Sequence, residues 1–281
     1  MVDNLDDTGE IDDDTGEIDD DTGEIDEAWD MLASARGVLF DFDGPICRLF
    51  PDGSSRGVAD GLRELVAEHD LSDVLTEQAR TDKDPHVVLR TVHGAREGRD
   101  LKELVERLET QTTVGELAAA EKASYTRKSH TPDADRLIRL LAGMGARLAV
   151  VTNNAESAAD CYLRARGLRE HFAYIHGRTT NPDLMKPHPD VVLRALRSLT
   201  LPAREAVMIG DTPTDVEAAA MAGVRFIGYG RNAEKRTRLR RAGAKVVLGS
   251  YAPLLGRARE GGADESRACF VGEGASRGAV G

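Results

Sequence analysis

Apolar positions along the chain fall into two rhythms. Short unbroken apolar runs stand at about 37–42, 147–154, 173–176, 206–211, 225–228 and 245–248, each bounded by turn-forming or polar residues. Such runs predict buried strands. Between the later ones, apolar residues recur at helical spacing over about 134–141, 155–166, 189–199 and 214–222. Gly143, Gly145, Gly167 and Gly223 stand where these helices should stop, and Thr131-Pro132 reads as an N-cap with proline in the first turn. Strands alternating with helices predict an α/β fold with a doubly wound parallel sheet.

The rhythm changes after the first strand. From about 48 to 131 the pattern is helical throughout, in segments beginning near Val58, Val87, Leu101 and Val114. This stretch is too long for a simple crossover and predicts an inserted helical cap over 49–130. The core is then expected from 36–48 together with 131–255. Glu27 to Ala35 reads as a short helical lead-in.

The two ends carry no such pattern. Residues 6–26 are three perfect copies of Asp-Asp-Thr-Gly-Glu-Ile-Asp, each with one isoleucine and four acids. A segment this poor in apolar surface cannot offset its ordering entropy, so 1–27 is expected to be a disordered acidic tail. A sharper expectation is that this tail rests on the basic run Lys235–Arg241, which otherwise reads as a solvated helix face. The Gly-, Ala- and Arg-rich stretch 257–281 is also expected to lack fixed structure.

Charge sharpens this division. The formal net charge is -12, yet residues 1–27 hold fourteen acids and no lysine or arginine, while the rest holds 35 acids against 37 bases. The folded part is nearly neutral, which gives no sign of a nucleic-acid-binding protein. Cys47, Cys161 and Cys269 are far apart and odd in number, as expected of a reducing cytoplasm. No apolar stretch approaches the length of a membrane span, and no signal peptide is visible.

Candidate chemistry gathers at strand ends. The first predicted strand ends in Asp41-Phe-Asp43-Gly-Pro45, the second in Thr152-Asn153-Asn154, and the fourth in Gly210-Asp211-Thr-Pro-Thr-Asp215; Lys186 lies between the last two. In a parallel sheet these ends share one edge, where ligands bind. Buried acids need a partner such as a metal ion. The set suits phosphoryl transfer. Asp41 can attack phosphorus, and Asp43 can give the leaving oxygen a proton and later activate water. A hydroxyl, an amide and an ammonium can hold the phosphoryl oxygens.

On these residues the chain resembles the haloacid dehalogenase (HAD) superfamily, in particular its phosphoglycolate phosphatase-like members with a helical cap. Asp41-Phe-Asp-Gly-Pro matches the first motif, Val151-Thr-Asn-Asn the second, Lys186-Pro-His-Pro the third and Gly210-Asp-Thr-Pro-Thr-Asp215 the fourth. The resemblance implies a HAD-like Rossmannoid core with Asp41 as nucleophile and Asp43 as acid/base. It implies phosphoryl binding by Thr152 and Lys186 with Asn153, and Mg²⁺ held by Asp41, the Asp43 carbonyl, Asp211 and Asp215. Pro45 departs from the threonine common at that place. Asp43 and Asp211 favour phosphate chemistry over dehalogenation.

The expected function is a Mg²⁺-dependent phosphatase that hydrolyses a small phosphate monoester, with a small phosphorylated metabolite as its partner. The alternatives are a phosphomutase of sugar phosphates and a non-catalytic binding protein on the same fold. Asp215 also fits a helix start, and Asn154 a turn. Cys47 reads as a packing residue, and His86, His93 and His130 as structural or exposed.

Overall fold

The structure, a computed structural model, describes residues 22–97 and 100–259. The first two copies of the acidic repeat and Cys269 lie outside them. Six strands are described: β1 (Gly37–Phe40), β2 (Arg147–Val151), β3 (Phe172–His176), β4 (Ala206–Gly210), β5 (Arg225–Tyr229) and β6 (Val246–Leu248). The helices are α1 (Thr22–Ala33), α2 (Arg56–Glu68), α3 (Glu77–Thr81), α4 (Pro85–Gly94), α5 (Lys102–Tyr125), α6 (Ala134–Gly143), α7 (Glu156–Ala165), α8 (Asp190–Leu199), α9 (Pro213–Ala222) and α10 (Ala233–Arg241).

All strands are parallel, in the order β3-β2-β1-β4-β5-β6. The chain builds outward from β1 to β3, then returns to β4 on the other side of β1. That reversal opens a crevice at the carboxyl ends of β1 and β4, the expected ligand position in such a sheet. Phe40 pairs in register with Val150 and with Ile209, so Asp41 leaves the sheet level with Val151 and Gly210. The central strands β1, β2 and β4 are buried on both faces apart from Arg147, which is why they read as unbroken apolar runs.

Alternation sends Val38, Phe40, Leu148, Val150, Val207 and Ile209 to one face, where they pack with α1, α6 and α7. Leu39, Ala149, Val151 and Met208 face the other way, onto α8 and α9. Between β1 and β2 the long elements are helices, and they bury a cluster of their own around Leu62, Val66, Val88, Leu89, Leu104 and Leu108. Helix α5 serves both clusters: Leu104 and Leu108 belong to the insertion, Ala120 and Ala123 to the main core.

Four local expectations are corrected. Helix α1 begins at Thr22, inside the stretch expected to be disordered, because its Ala28 and Leu32 are fully buried and Glu24 and Asp26 are bonded. Glu24 accepts from Arg240 at 2.7 Å and from the Val247 N–H at 2.9 Å, and Asp26 accepts from Arg257 at 2.7 Å. The segments near Leu101 and Val114 form one helix of 24 residues. Thr131 does not cap α6: the N-cap is Asp133, and the Thr131 hydroxyl donates to the Gly44 carbonyl at 2.5 Å. Residues 252–259 are helical, with Leu254 and Leu255 buried, so structure runs past 257.

Candidate active site

The crevice is a cleft of about 1240 Å³ lined by Asp41, Asp43, Thr152, Asn153, Lys186 and Asp211. Asp41 extends the β1 ladder by one bond, its N–H donating to the Ile209 carbonyl at 2.9 Å. The Lys186 ammonium donates to Asp41 Oδ1 at 2.7 Å and to the Val151 carbonyl at 3.1 Å. It also lies 2.6 Å from Asp215 Oδ1, off the hydrogen-bonding direction. Asn153 fixes this lysine by accepting from its backbone N–H at 2.8 Å and donating to its carbonyl at 3.2 Å. The Asn153 side chain is thus occupied by the Lys186 backbone.

Asp215 does two jobs. Its Oδ2 accepts from the N–H groups of Asp211 and Thr212 and from the Thr212 hydroxyl, closing a capping box at the start of α9. Its Oδ1 stays with Lys186. Gly210 makes room, since a β-carbon there would meet Asp215 Cβ at 2.5 Å. Gly44 is tighter still. It holds φ at 115°, and a β-carbon would run into the Asp211 carboxylate. The first and fourth motifs therefore touch through a glycine.

The carboxylates Asp41, Asp211 and Asp215 are buried, and one oxygen of each lies within 4.8 Å of the others. Asp211 Oδ2 is ion-paired with Lys235 of α10, and Asp211 Oδ1 is buried without a hydrogen-bond partner among the described residues. With Asp43, four carboxylates face the ammonium groups of Lys186 and Lys235. One divalent cation would balance the surplus. Burial raises Asp41 to about 7 against the pull of Lys186, and raises Asp43 and Asp211 to about 6. The orphaned oxygen, the carboxylate donors and the charge surplus together fit a hard divalent metal. The Asp43 carboxylate lies outside the group of three, and its Oδ1 accepts from the Leu49 N–H at 2.9 Å.

Thr152 is buried and set by its neighbour. Its hydroxyl donates to Asn154 Oδ1 at 3.0 Å, and the Asn154 N–H donates back to it at 3.1 Å. Asn154 then reaches Glu116 of α5, which also takes His86 and Arg178. Arg48, Arg127, Lys128 and Arg231 line the outer cleft. Sequence reading missed Glu116 and Lys235 as site neighbours, while His86, which it read as structural or exposed, is held between Glu116 and Asp84. The signal for Glu116 was an acid at helical spacing among Leu108, Thr112, Ala120 and Ala123, on the apolar face. Lys235 was hidden in a basic run that reads as solvated.

Comparison with known proteins agrees with this geometry. The family model described as haloacid dehalogenase-like hydrolase matches residues 35–223. Phosphoglycolate phosphatase of Rhodospirillum rubrum is 32% identical over 224 residues, covering 78% of this chain and 89% of that protein. Tyrosine-protein kinase PtkA of Mycobacterium bovis is 30% identical over 203 residues, covering 69% of this chain and 63% of that protein. A solved HAD family hydrolase of Deinococcus radiodurans, with bound phosphate and sodium, is 26% identical with a TM-score of 0.51, covering 82% of this chain and 97% of that one. The chain belongs to the haloacid dehalogenase-like hydrolases, and it is an enzyme of their phosphoric monoester hydrolase kind. Among the described residues no helix is long and apolar enough to cross a membrane.

Proposed function

We propose that the chain is a Mg²⁺-dependent phosphatase of small phosphate monoesters, working through an aspartyl phosphate on Asp41. The observation that carries this reading is the Asp41 carboxylate at the end of β1, held on Oδ1 by Lys186 and grouped with Asp211 and Asp215. Its second oxygen is the attacking atom. The P–O bond to the leaving group breaks as the Asp41 oxygen–phosphorus bond forms. Asp43, pushed up to about 6 by burial, gives its proton to the leaving oxygen. The Asp43 carboxylate then takes a proton from water, whose oxygen attacks phosphorus and breaks the bond to Asp41, releasing phosphate.

Thr152 and Lys186 hold the phosphoryl oxygens, and Asn153 keeps Lys186 in place. Mg²⁺ would be held by Asp41, the Asp43 carbonyl and Asp211, with Asp215 beside them. When bound, it neutralises charge between the attacking carboxylate and the phosphoryl group. Outside this centre, Arg48 donates to the Lys128 carbonyl at 3.4 Å, and burial together with the nearby Arg231 lowers its pKa. Arg48 is also ion-paired with Asp52 at 3.6 Å, but Arg127, Lys128 and Arg231 line the same outer cleft, and this basic lining favours an ester whose leaving part is itself anionic.

Purified protein with Mg²⁺ should release phosphate from an aryl phosphate and, faster, from esters carrying a second anionic group. EDTA and Asp41→Asn should each abolish turnover. Full activity in Asp41→Asn would end this reading. Phosphate-free interconversion of sugar phosphates would turn it into the mutase.

A further inference from the structure

We infer that Glu116 is a positioning residue: it holds the loop Thr152–Ala155 through Asn154, so the Thr152 hydroxyl is set only while α5 is seated on the core. This rests on the reading of Thr152 as a phosphoryl ligand.

Glu116 is 0% exposed. It lies on α5 between the residues that serve the insertion's cluster and those that serve the main core. Its two oxygens accept from four N–H donors. Oε1 takes His86 Nε2 at 2.9 Å and Asn154 Nδ2 at 3.2 Å; Oε2 takes the Ala155 N–H at 2.7 Å and Arg178 Nη1 at 2.5 Å. A carboxylate offers about four lone-pair sites, so the group is saturated. His86 comes from the insertion, while Asn154, Ala155 and Arg178 come from the core. Arg178 also donates to Glu109 at 2.8 Å and to the Thr113 hydroxyl at 2.7 Å, both on the same helix. The helix is thereby fixed in one position over the loop.

The link to Thr152 is short. Giving its Nδ2 to Glu116 orients the Asn154 amide, so its Oδ1 faces the Thr152 hydroxyl at 3.0 Å. The Asn154 backbone N–H donates to the Thr152 hydroxyl oxygen at 3.1 Å, and this bond keeps that oxygen in place when its one proton turns from Asn154 Oδ1 to a phosphoryl oxygen. A purely architectural ion cluster would hold α5 down without passing through this amide.

A double-mutant cycle separates the two roles. Glu116→Gln keeps the shape but turns one oxygen into a donor facing N–H groups. Thr152→Val removes the hydroxyl and keeps the shape. Each single variant, the double variant and the parent are compared in kcat, KM and affinity for inorganic phosphate with Mg²⁺. Losing hydrogen bonds to a charged group predicts roughly a tenfold drop in kcat/KM and in phosphate affinity for Glu116→Gln. In the Thr152→Val background the same change should cost less than about twofold. Penalties that multiply overturn the inference. Should Glu116→Gln fail to fold, Asn154→Ala cuts the link and leaves the ion cluster intact. It should show the same loss, again absent in the Thr152→Val background; parental phosphate affinity in Asn154→Ala overturns the inference too. The phosphate-affinity cycle needs no turnover. An inactive parent therefore defeats the phosphatase reading while leaving this test in force.

Discussion

Raising the pH through the titration of His86 should loosen the seam between the insertion and the core. The imidazole sits between two carboxylates, with Nε2 2.9 Å from Glu116 and Nδ1 3.2 Å from Asp84. Arg178 lies beyond Glu116, and Arg90 acts on Asp84. Burial works against a charged imidazole, but the bonds to Asp84 and Glu116 outweigh it and raise the group to about 9. The folded value thus lies above the unfolded one of 6.5. Stability from this group is complete below about 6.5 and is lost as pH rises through about 9. At 1.36 kcal/mol per pH unit, the shift is worth about 3 kcal/mol as an upper bound. The assay is urea unfolding of the parent and of His86→Gln at pH 6 to 10. Titrations common to both cancel in the difference. The parent's margin over the variant should shrink by up to about 3 kcal/mol across that range. A margin that stays constant with pH would refute the reasoning.

Three further outcomes are expected. Lys186→Met leaves Asp41 and Asp215 buried without their counter-charge and should cost about 3–5 kcal/mol in metal-free unfolding; stability equal to the parent's would contradict the buried ion pairs. Gly44→Ala drives a β-carbon into the Asp211 carboxylate and should weaken divalent-metal affinity, read by titration with Mn²⁺, by about tenfold or more through strain alone. Unchanged affinity would separate that glycine from the metal group. Arg231→Ala should raise KM roughly tenfold for esters with a second anionic group and leave aryl phosphate nearly unaffected; equal effects on both would remove Arg231 from substrate choice.

The candidate site was legible because its parts are local. Asp41, Thr152 and Asp211 each follow a short apolar run directly, and a parallel sheet brings the ends of such runs to one edge without further information. Asp215 was legible as a helix-start acid, and its Oδ2 closes the capping box of α9, while its Oδ1 lies beside Lys186, a pairing that the sequence did not announce. What lies behind these residues was not legible. Lys235 turns inward because Asn232 caps α10 and Leu239 is buried, so the helix is anchored with Lys235 toward Asp211. Nothing in a run of basic residues announces that rotation. Thr22 starts a helix although its repeat is acidic, because the helix it opens carries the buried Ala28 and Leu32 and because Arg240 and the Val247 N–H meet Glu24.

The division of labour between the two parts of the molecule follows from charge. Asp41, Asp43, Asp211, Asp215, Lys186 and Lys235 all come from β1, β4 and the segments around α8 to α10, so among the described residues the insertion adds no group to this charged cluster, although Lys83, Asp84 and His86 line the same cleft. It adds instead a second charged centre at the seam: Glu116 and His86 from the insertion against Arg178 from the core. That cluster is balanced by its own partners, since Glu116 is held below the usual range by His86 and Arg178 despite its burial. The cluster around Asp41 is not balanced, and burial pushes Asp41 up to about 7. A balanced seam can hold the insertion in place by its own pairs, while the surplus of carboxylates in the other cluster fits a divalent cation. Among the described residues Asn154 is the one bonded to both Glu116 and Thr152, so on the inference drawn above the seating of α5 and the setting of the Thr152 hydroxyl go together.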